Sequence, residues 1–280
     1  MAVQKIEGRT FVETEFQGAN VSCVVTEQGL VLIDVPYFPE DVRCWRQELS
    51  NISDKDVAYV INTDHHFDHA LGSAIFSQNV VAHQLARQEM FQRDGMMQDM
   101  MIAMHGQTYP GEIAEILKYP MMPPRITFSN RMMLHLGDAT FELIHVGGHS
   151  KATSVVYLLE DKILFSGDTV ETDRHPYKGQ AHFGDWINAI KTVLSIDIDV
   201  IVPGHGAICD RDEAQRMLVY FQTMYDRVKA LRAQGLSKEQ TIEKCRDLLS
   251  YYTIEPGMEE RMRIRFDEGI DRLYDEVSTI

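Results

Sequence analysis

The stretch Thr63-Asp64-His65-His66-Phe67-Asp68-His69 places three imidazoles and two carboxylates within seven positions. Left bare, these groups would repel one another and compete for water. All five are metal-ligand types, and a divalent cation is the simplest partner that would hold them together. The cluster follows the apolar run Val57-Ala58-Tyr59-Val60-Ile61, which reads as a buried strand. It therefore falls in a loop at a strand's C-terminal end, where open α/β sheets put their ligands. The competing reading is a solvated polar loop that happens to be rich in histidine.

Three more candidates stand where apolar runs end: His149 in Gly147-Gly148-His149-Ser150, Asp168 in Ser166-Gly167-Asp168-Thr169, and His205 in Pro203-Gly204-His205-Gly206. Each has glycine beside it, which lets the backbone turn sharply and approach something closely. Parallel strands deliver their C-terminal loops to one edge of a sheet, so these loops and the His-rich one point to a single site. The segment after Asp168 carries Asp173, Arg174, His175, Tyr177, Lys178 and His182 and should border the mouth of that site. Arg174 or Lys178 suits an anionic substrate group, Tyr177 or His182 suits a developing oxyanion, and His175 is a further candidate contact. A solvated polar loop is the plainer alternative.

The elements that must position these residues alternate between strand and helix. Val21–Val25 and Leu30–Ile33 read as a hairpin turning through Thr26-Glu27-Gln28-Gly29. Pro39 opens a helix that carries Val42, Trp45 and Leu49 on one face. Ala70–Phe76 is a short helix, Val80–Ala82 a short strand, and Gln84 onward a longer helix interrupted at Gly95. Thr140–Val146, Ser154–Leu159, Lys162–Ser166 and Asp199–Val202 read as strands, and Asp185–Leu194 as an amphipathic helix. From Asp212 the chain is helical, Gly235 stops one helix, and Ser237 with Gln240 forms a capping box for the next. Between Gly95 and Met133 stand Met96, Met97, Met100, Met101, Met104, Met121, Met122, Met132 and Met133. Such a segment makes either an adaptable lid or insertion over residues 95–133, or ordinary core packing.

With 280 residues, 44% of them hydrophobic, the chain can bury a sizeable core, and it contains no linker-like tract or repeat. Residues 1–210 read as one domain and 211–280 as a helical extension packed on it, with homo-oligomer contacts through those helices an option. The net charge of −15 argues against nucleic acid or an anionic membrane as the main partner and says little else; a small-molecule substrate is the expectation. The N-terminal residues contain no apolar leader, no run approaches a membrane span, and Cys23, Cys44, Cys209 and Cys245 form no CxxC pair. A soluble cytoplasmic protein with reduced thiols is the expectation.

The order HxHxDH, then a glycine-flanked His, a Gly-Asp pair and a Pro-Gly-His-Gly turn, resembles the metallo-β-lactamase-fold superfamily across about Val21 to Ala207. That resemblance implies an αββα sandwich, two mixed sheets flanked by helices, with a dinuclear metal site at one edge. It implies one ion held by Asp68, His69 and His205, another by His66, His149 and the residue at the first motif position, and Asp168 between them. The sequence departs from the pattern at that first position, which is Asp64 and not His. Asp64 either ligates as a carboxylate or leaves the first site weak, and His65 is read as pointing away from the metals.

The chemistry implied is hydrolysis of an ester, thioester, lactone, amide or phosphoester bond. Two divalent ions, zinc first and manganese or iron as alternatives, would lower the pKa of a water to about 7 and polarise the oxygen under attack. Asp68 would orient that water or carry its proton to the leaving group. The rival readings are an iron-dependent oxidoreductase of the same fold and a non-catalytic metal-binding sensor.

Overall fold

A computed structural model of the chain describes residues 3–92, 99, 101–103, 105–119 and 122–278. Met96, Met97, Met100, Met104 and Met121, with Gly95 and Pro120, lie outside the described residues. The first sheet has seven strands in chain order: β1 (Gln4–Glu7), β2 (Thr10–Glu13), β3 (Val21–Thr26), β4 (Gly29–Ile33), β5 (Val57–Ile61), β6 (Val80–His83) and β7 (Ile126–Phe128). Pairing is antiparallel from β1 to β4 and parallel from β4 to β7. The second sheet has five strands in the order β12 (Val200–His205), β11 (Ile163–Glu171), β10 (Ser154–Leu158), β9 (Ala139–His145) and β8 (Arg131–Leu136). Only β11 and β12 pair in parallel there.

The period-two alternation of side chains sorts these strands into layers. Val31 and Ile33 point into a core that also takes Phe141, Leu143, Val156 and Phe165 of the second sheet. Leu30 and Leu32, one residue out of phase, point the other way onto Trp45 and Leu49 of α1 (Pro39–Ile52). On the far side, Val155, Leu164 and Ile201 meet Trp186, Ile190 and Val193 of α6 (Phe183–Ser195). The molecule is thus an αββα sandwich with a mixed sheet in each inner layer. Among the described residues four short helices accompany the first sheet: α2 (Phe67–Ala70), α3 (Ser73–Phe76), α4 (Gln84–Gln92) and α5 (Pro110–Ile116), the last packed on Tyr37, Phe38 and Leu71.

The C-terminal helices α7 (Arg211–Ala233), α8 (Lys238–Cys245) and α9 (Glu259–Glu276) extend the outer core. Met217, Phe221 and Met224 of α7 and Phe266, Ile270 and Leu273 of α9 join the cluster around Trp186. The Ser237/Gln240 capping box is present at the start of α8. No helix among the described residues is long and apolar enough to cross a membrane.

Three expectations change. The stretch 95–133 is not a single insertion, because its second half supplies β7 and the start of β8; Met132 packs into the sandwich core and Met101 into a separate cluster around Tyr37 and Phe38. Strand β11 does not stop at Ser166. It runs on through Gly167 and Asp168 to Glu171, with two register shifts against β12. Such bulges re-aim side chains, so Asp168 sits in a bent strand and not beyond its end. Lastly β1 and β2 were not anticipated, since Gln4–Glu7 is largely exposed and lacks a continuous apolar face.

His175 is buried at the junction of sandwich and C-terminal helices. Its Nε2–H donates to the Leu249 carbonyl at 2.9 Å and its Nδ1 lies 3.2 Å from the Tyr220 hydroxyl, which donates to it. Burial, helped by the Lys178 charge, pushes its pKa down to about 4. Above the unfolded value of about 6.5 the group is neutral in both states and contributes nothing pH-dependent. As pH falls from there toward 4, the unfolded chain takes up a proton that the folded chain refuses, and stability drops. Between pH 7 and pH 5 the wild type should lose about 2 kcal/mol more than His175→Gln in urea unfolding.

Candidate metal centre

The candidate ligands come together at one edge of the sandwich. Asp168 Oδ2 lies 3.2 Å from His149 Nε2, and Asp168 Oδ1 lies 3.3 Å from His69 Nε2 and 3.4 Å from His205 Nε2. His66 Nδ1 is 3.2 Å from His149 Nε2 and 3.4 Å from Asp64 Oδ1, while Asp68 Oδ2 is 3.4 Å from His205 Nε2. Asp64, His66 and His149 therefore form one group and Asp68, His69 and His205 another, each with ligand atoms within 4.8 Å of one another. Asp168 faces both, one oxygen to each.

Backbone ties hold these loops in place. Helix α2 begins at Phe67, so its first turn presents Asp68 and His69 side by side. The Ser154 amide donates to the Thr63 carbonyl, which joins the loop that carries His149 to the His-rich loop. Gly204 lets β12 pass directly over the site, since a Cβ there would stand 2.0 Å from Asp168 Oδ1. At Gly148 a Cβ would stand 2.5 Å from Trp186 Cα, so the His149 loop rests on α6.

Asp34 is a residue that sequence reasoning passed over. It ends β4 with a φ of +53° and accepts from the Thr63 amide at 2.8 Å, from Thr63 Oγ1 at 2.6 Å and from His69 Nδ1 at 2.8 Å. The bond fixes the His69 tautomer and leaves Nε2 facing the site. The available signal was a carboxylate closing an apolar strand one residue before Val35. Asp34→Ala should weaken metal affinity about 10–100-fold, measured by competition with a chromogenic chelator, because the imidazole loses its orienting partner.

The electrostatics suit a cation. Burial opposes charge on His69, yet Asp168 and Asp34 hold its pKa well above the usual imidazole range. Burial would raise Asp68, but the His69 and His205 charges bring it down to about 2. Asp168 is likewise held well below the carboxylate range, against its burial, by His69, His205 and His149. On the other side burial pushes His66 down to about 4, which leaves its nitrogen a free lone pair at neutral pH. A divalent ion would replace the proton on His69 and release it. His69 Nε2 and Asp168 Oδ1 are buried without hydrogen-bond partners, and ligation would satisfy both. The donor set, imidazole nitrogens with carboxylate oxygens, fits zinc, manganese or iron.

Asp64 is fully buried, and its oxygens are shared with hydrogen-bond donors. Oδ1 accepts from the His65 amide at 2.6 Å, and Oδ2 accepts from Ser150 Oγ at 2.7 Å and Thr153 Oγ1 at 2.6 Å. His65 lies against His66 with ring centroids 4.5 Å apart and planes tilted by 36°, its Nδ1 at 2.8 Å from Asp64 Oδ1. It belongs to neither ligand group. Glu171 adds an unanticipated carboxylate: it is buried, its Oε1 has no hydrogen-bond partner, and it groups with His149 and Asp168.

The residues after Asp168 separate. The Tyr177 ring reaches the site, its centroid 6.3 Å from that of His149. Arg174 is exposed, with Nε 3.6 Å from Glu171 Oε2. His175 lies in the C-terminal layer described above and does not reach the ligand cluster. Lys178 is buried, its Nζ bonded to the Pro176 carbonyl and set over the Tyr220 and Phe266 rings. His182 caps α6, accepting from the Asp185 amide with its ring 3.5 Å from Glu276 Oε1, and is turned to the surface.

The sequence profile of the metallo-beta-lactamase superfamily matches residues 15–205. The chain belongs to this superfamily. Over 243 residues it is 22% identical to a metallo-beta-lactamase type 2 of Elizabethkingia meningoseptica, covering 81% of this chain and 88% of that protein. Over 195 residues it is 25% identical to the human acyl-coenzyme A thioesterase MBLAC2, covering 65% and 68%. Among solved structures, a metallo-beta-lactamase from Pontibacter korlensis superimposes with a TM-score of 0.62 at 22% identity, over 79% of this chain and 98% of the other. A stereoselective inverting sec-alkylsulfatase from Pseudomonas sp. reaches 0.73 at 14% identity, over 97% of this chain and 49% of the other. Superfamily membership implies divalent metal binding, and its members here are hydrolase-like.

Proposed function

We propose that this protein is a dinuclear metallohydrolase that cleaves an ester, thioester, lactone, amide or phosphoester bond of a small molecule. The observation that supports it is Asp168, whose two carboxylate oxygens each face one of the two ligand groups at 3.2–3.4 Å. Asp64, His66 and His149 would hold one ion, Asp68, His69 and His205 the other, and Asp168 would lie between them; zinc is the first candidate. Such ions supply a hydroxide at neutral pH and polarise the oxygen of the bond under attack.

The protein's own side chains do the rest. The Asp68 carboxylate, kept ionised, orients the attacking water and hands its proton to the leaving group. Asp34 keeps His69 from rotating, and the Tyr177 ring walls the site beside His149. Thioesters lead the substrate panel because one relative is an acyl-coenzyme A thioesterase. Chelator treatment should abolish turnover of any substrate the panel finds, and added zinc should restore it together with two ions per chain. Turnover that survives removal of the metal would overturn the proposal.

A further inference from the structure

Helix α9 is more than packing. Its residue Arg265 sets its guanidinium over the Tyr177 ring, 5.4 Å from the centroid, on a side chain that itself flanks His149. One turn earlier on the same helix stands Arg261, whose charge is felt by Arg265 and by His105. His105 in turn leads back toward the ligands. His105 Nε2 is 3.2 Å from the Tyr37 hydroxyl, and Tyr37 sits beside Asp68, both within 3.0 Å of a Cβ placed at Gly18. Arg174, leaving the Asp168 strand, is paired with Glu171, its Nε 3.6 Å from Oε2.

Among the described residues no carboxylate lies within ion-pair distance of Arg261 or Arg265, and Glu171, whose charge reaches Arg265, is already paired with Arg174, although the chain carries 42 acidic side chains against 27 basic ones. Their neighbour Arg263 on the same helix is bound to Glu260 and Asp267. Like charges gathered beside one another cost free energy unless something anionic joins them. Guanidinium groups suit an oxyanion because their planar donors meet it two at a time. The Tyr177 ring links Arg265 to His149, and beside Asp68 the Tyr37 and Phe67 rings pack 5.2 Å apart.

We propose that Arg265, with Arg261 one helical turn away, binds an anionic group of the substrate, a carboxylate, sulfate or phosphate, while an apolar segment crosses the Tyr177 ring toward the ligand cluster. This names a substrate class for the hydrolase reading above and rests on it only for kinetics.

The test is calorimetry on the metal-loaded protein with hexanoate, hexyl sulfate, hexyl phosphate and uncharged 1-hexanol. At least one anion should bind at least tenfold more tightly than hexanol, and the order of the three identifies the headgroup. Arg265→Gln should remove that advantage and Arg265→Lys part of it. Arg272→Gln, the same charge change farther along α9, should stay within twofold of wild type. Equal binding of hexanol, no binding of any anion, or equal losses in Arg265→Gln and Arg272→Gln would overturn the proposal. In parallel, the preference for 4-nitrophenyl hydrogen glutarate over 4-nitrophenyl butyrate should fall at least tenfold in Arg265→Gln, through KM. If neither ester is cleaved, that counts against the hydrolase reading for esters, while the calorimetry still decides the arginine site.

Discussion

Asp168→Asn is expected to reduce kcat/KM by roughly 10³-fold, a loss of about 4 kcal/mol of transition-state stabilisation, and to lower the metal content from the two ions per chain proposed above toward one or none. The substitution preserves volume but replaces one acceptor oxygen by an amide NH₂, which can only donate. Whichever way the amide turns, one ligand group faces that donor: either His149 Nε2, 3.2 Å from the present Oδ2, or His69 and His205, 3.3 and 3.4 Å from Oδ1. The charge that sustains protonation of His69 and His205 also disappears. Elemental analysis of the purified variant, with circular dichroism to show that the fold survives, separates loss of metal from loss of structure. A variant that keeps two ions and near-normal turnover would show that Asp168 does not bridge.

What could be read from the sequence follows from where the information lies. His66, Asp68, His69, His149, Asp168 and His205 stand beside glycine or in one dense motif at the ends of apolar runs, so local pattern announces them. The strands and helices are legible for the same reason, because Leu30 to Ile33 is an unbroken apolar run and Val42, Trp45 and Leu49 keep helical spacing, whereas their αββα layering is implied by the family resemblance. Asp34 and Arg265 carry no such mark. Asp34 becomes meaningful only once Thr63 and His69 fold back to bond it, and Arg265 only once a helix more than 80 positions away in sequence lies over Tyr177. The reverse error has the same origin. His175 and His182 belong by sequence to the loop that leaves Asp168, yet tertiary packing carries one beneath the C-terminal helices and turns the other to the surface. Proximity in sequence to Asp168 goes with proximity in space for Tyr177, which lies beside His149, but not for His175 or His182. Methionine content was uninformative in the same way, since Met101, Met122 and Met132 pack into three different clusters.

The second large effect concerns the one position that departs from the family pattern. Asp64→Ala should cost on the order of 3 kcal/mol of stability, because it strands the His65 amide and the Ser150 and Thr153 hydroxyls, all buried, without their acceptor. Those two hydroxyls belong to the loop that carries His149, so the same change loosens His149 against His66 and should empty the first ion position before the second. Asp64→His is the sharper variant, because it installs the imidazole that the motif elsewhere carries. A neutral imidazole offers one acceptor lone pair where the carboxylate now serves at least three donors, so this variant should be no more stable than Asp64→Ala. Urea unfolding after chelator treatment measures the cradle alone, and elemental analysis measures the ions. If Asp64→His instead matches the wild type in both, the ions and not the hydroxyls organise this loop. If it loses stability without gaining metal, Ser150, Thr153 and Asp64 form one unit, and the carboxylate at position 64 is required by its neighbours whatever it donates to the metal.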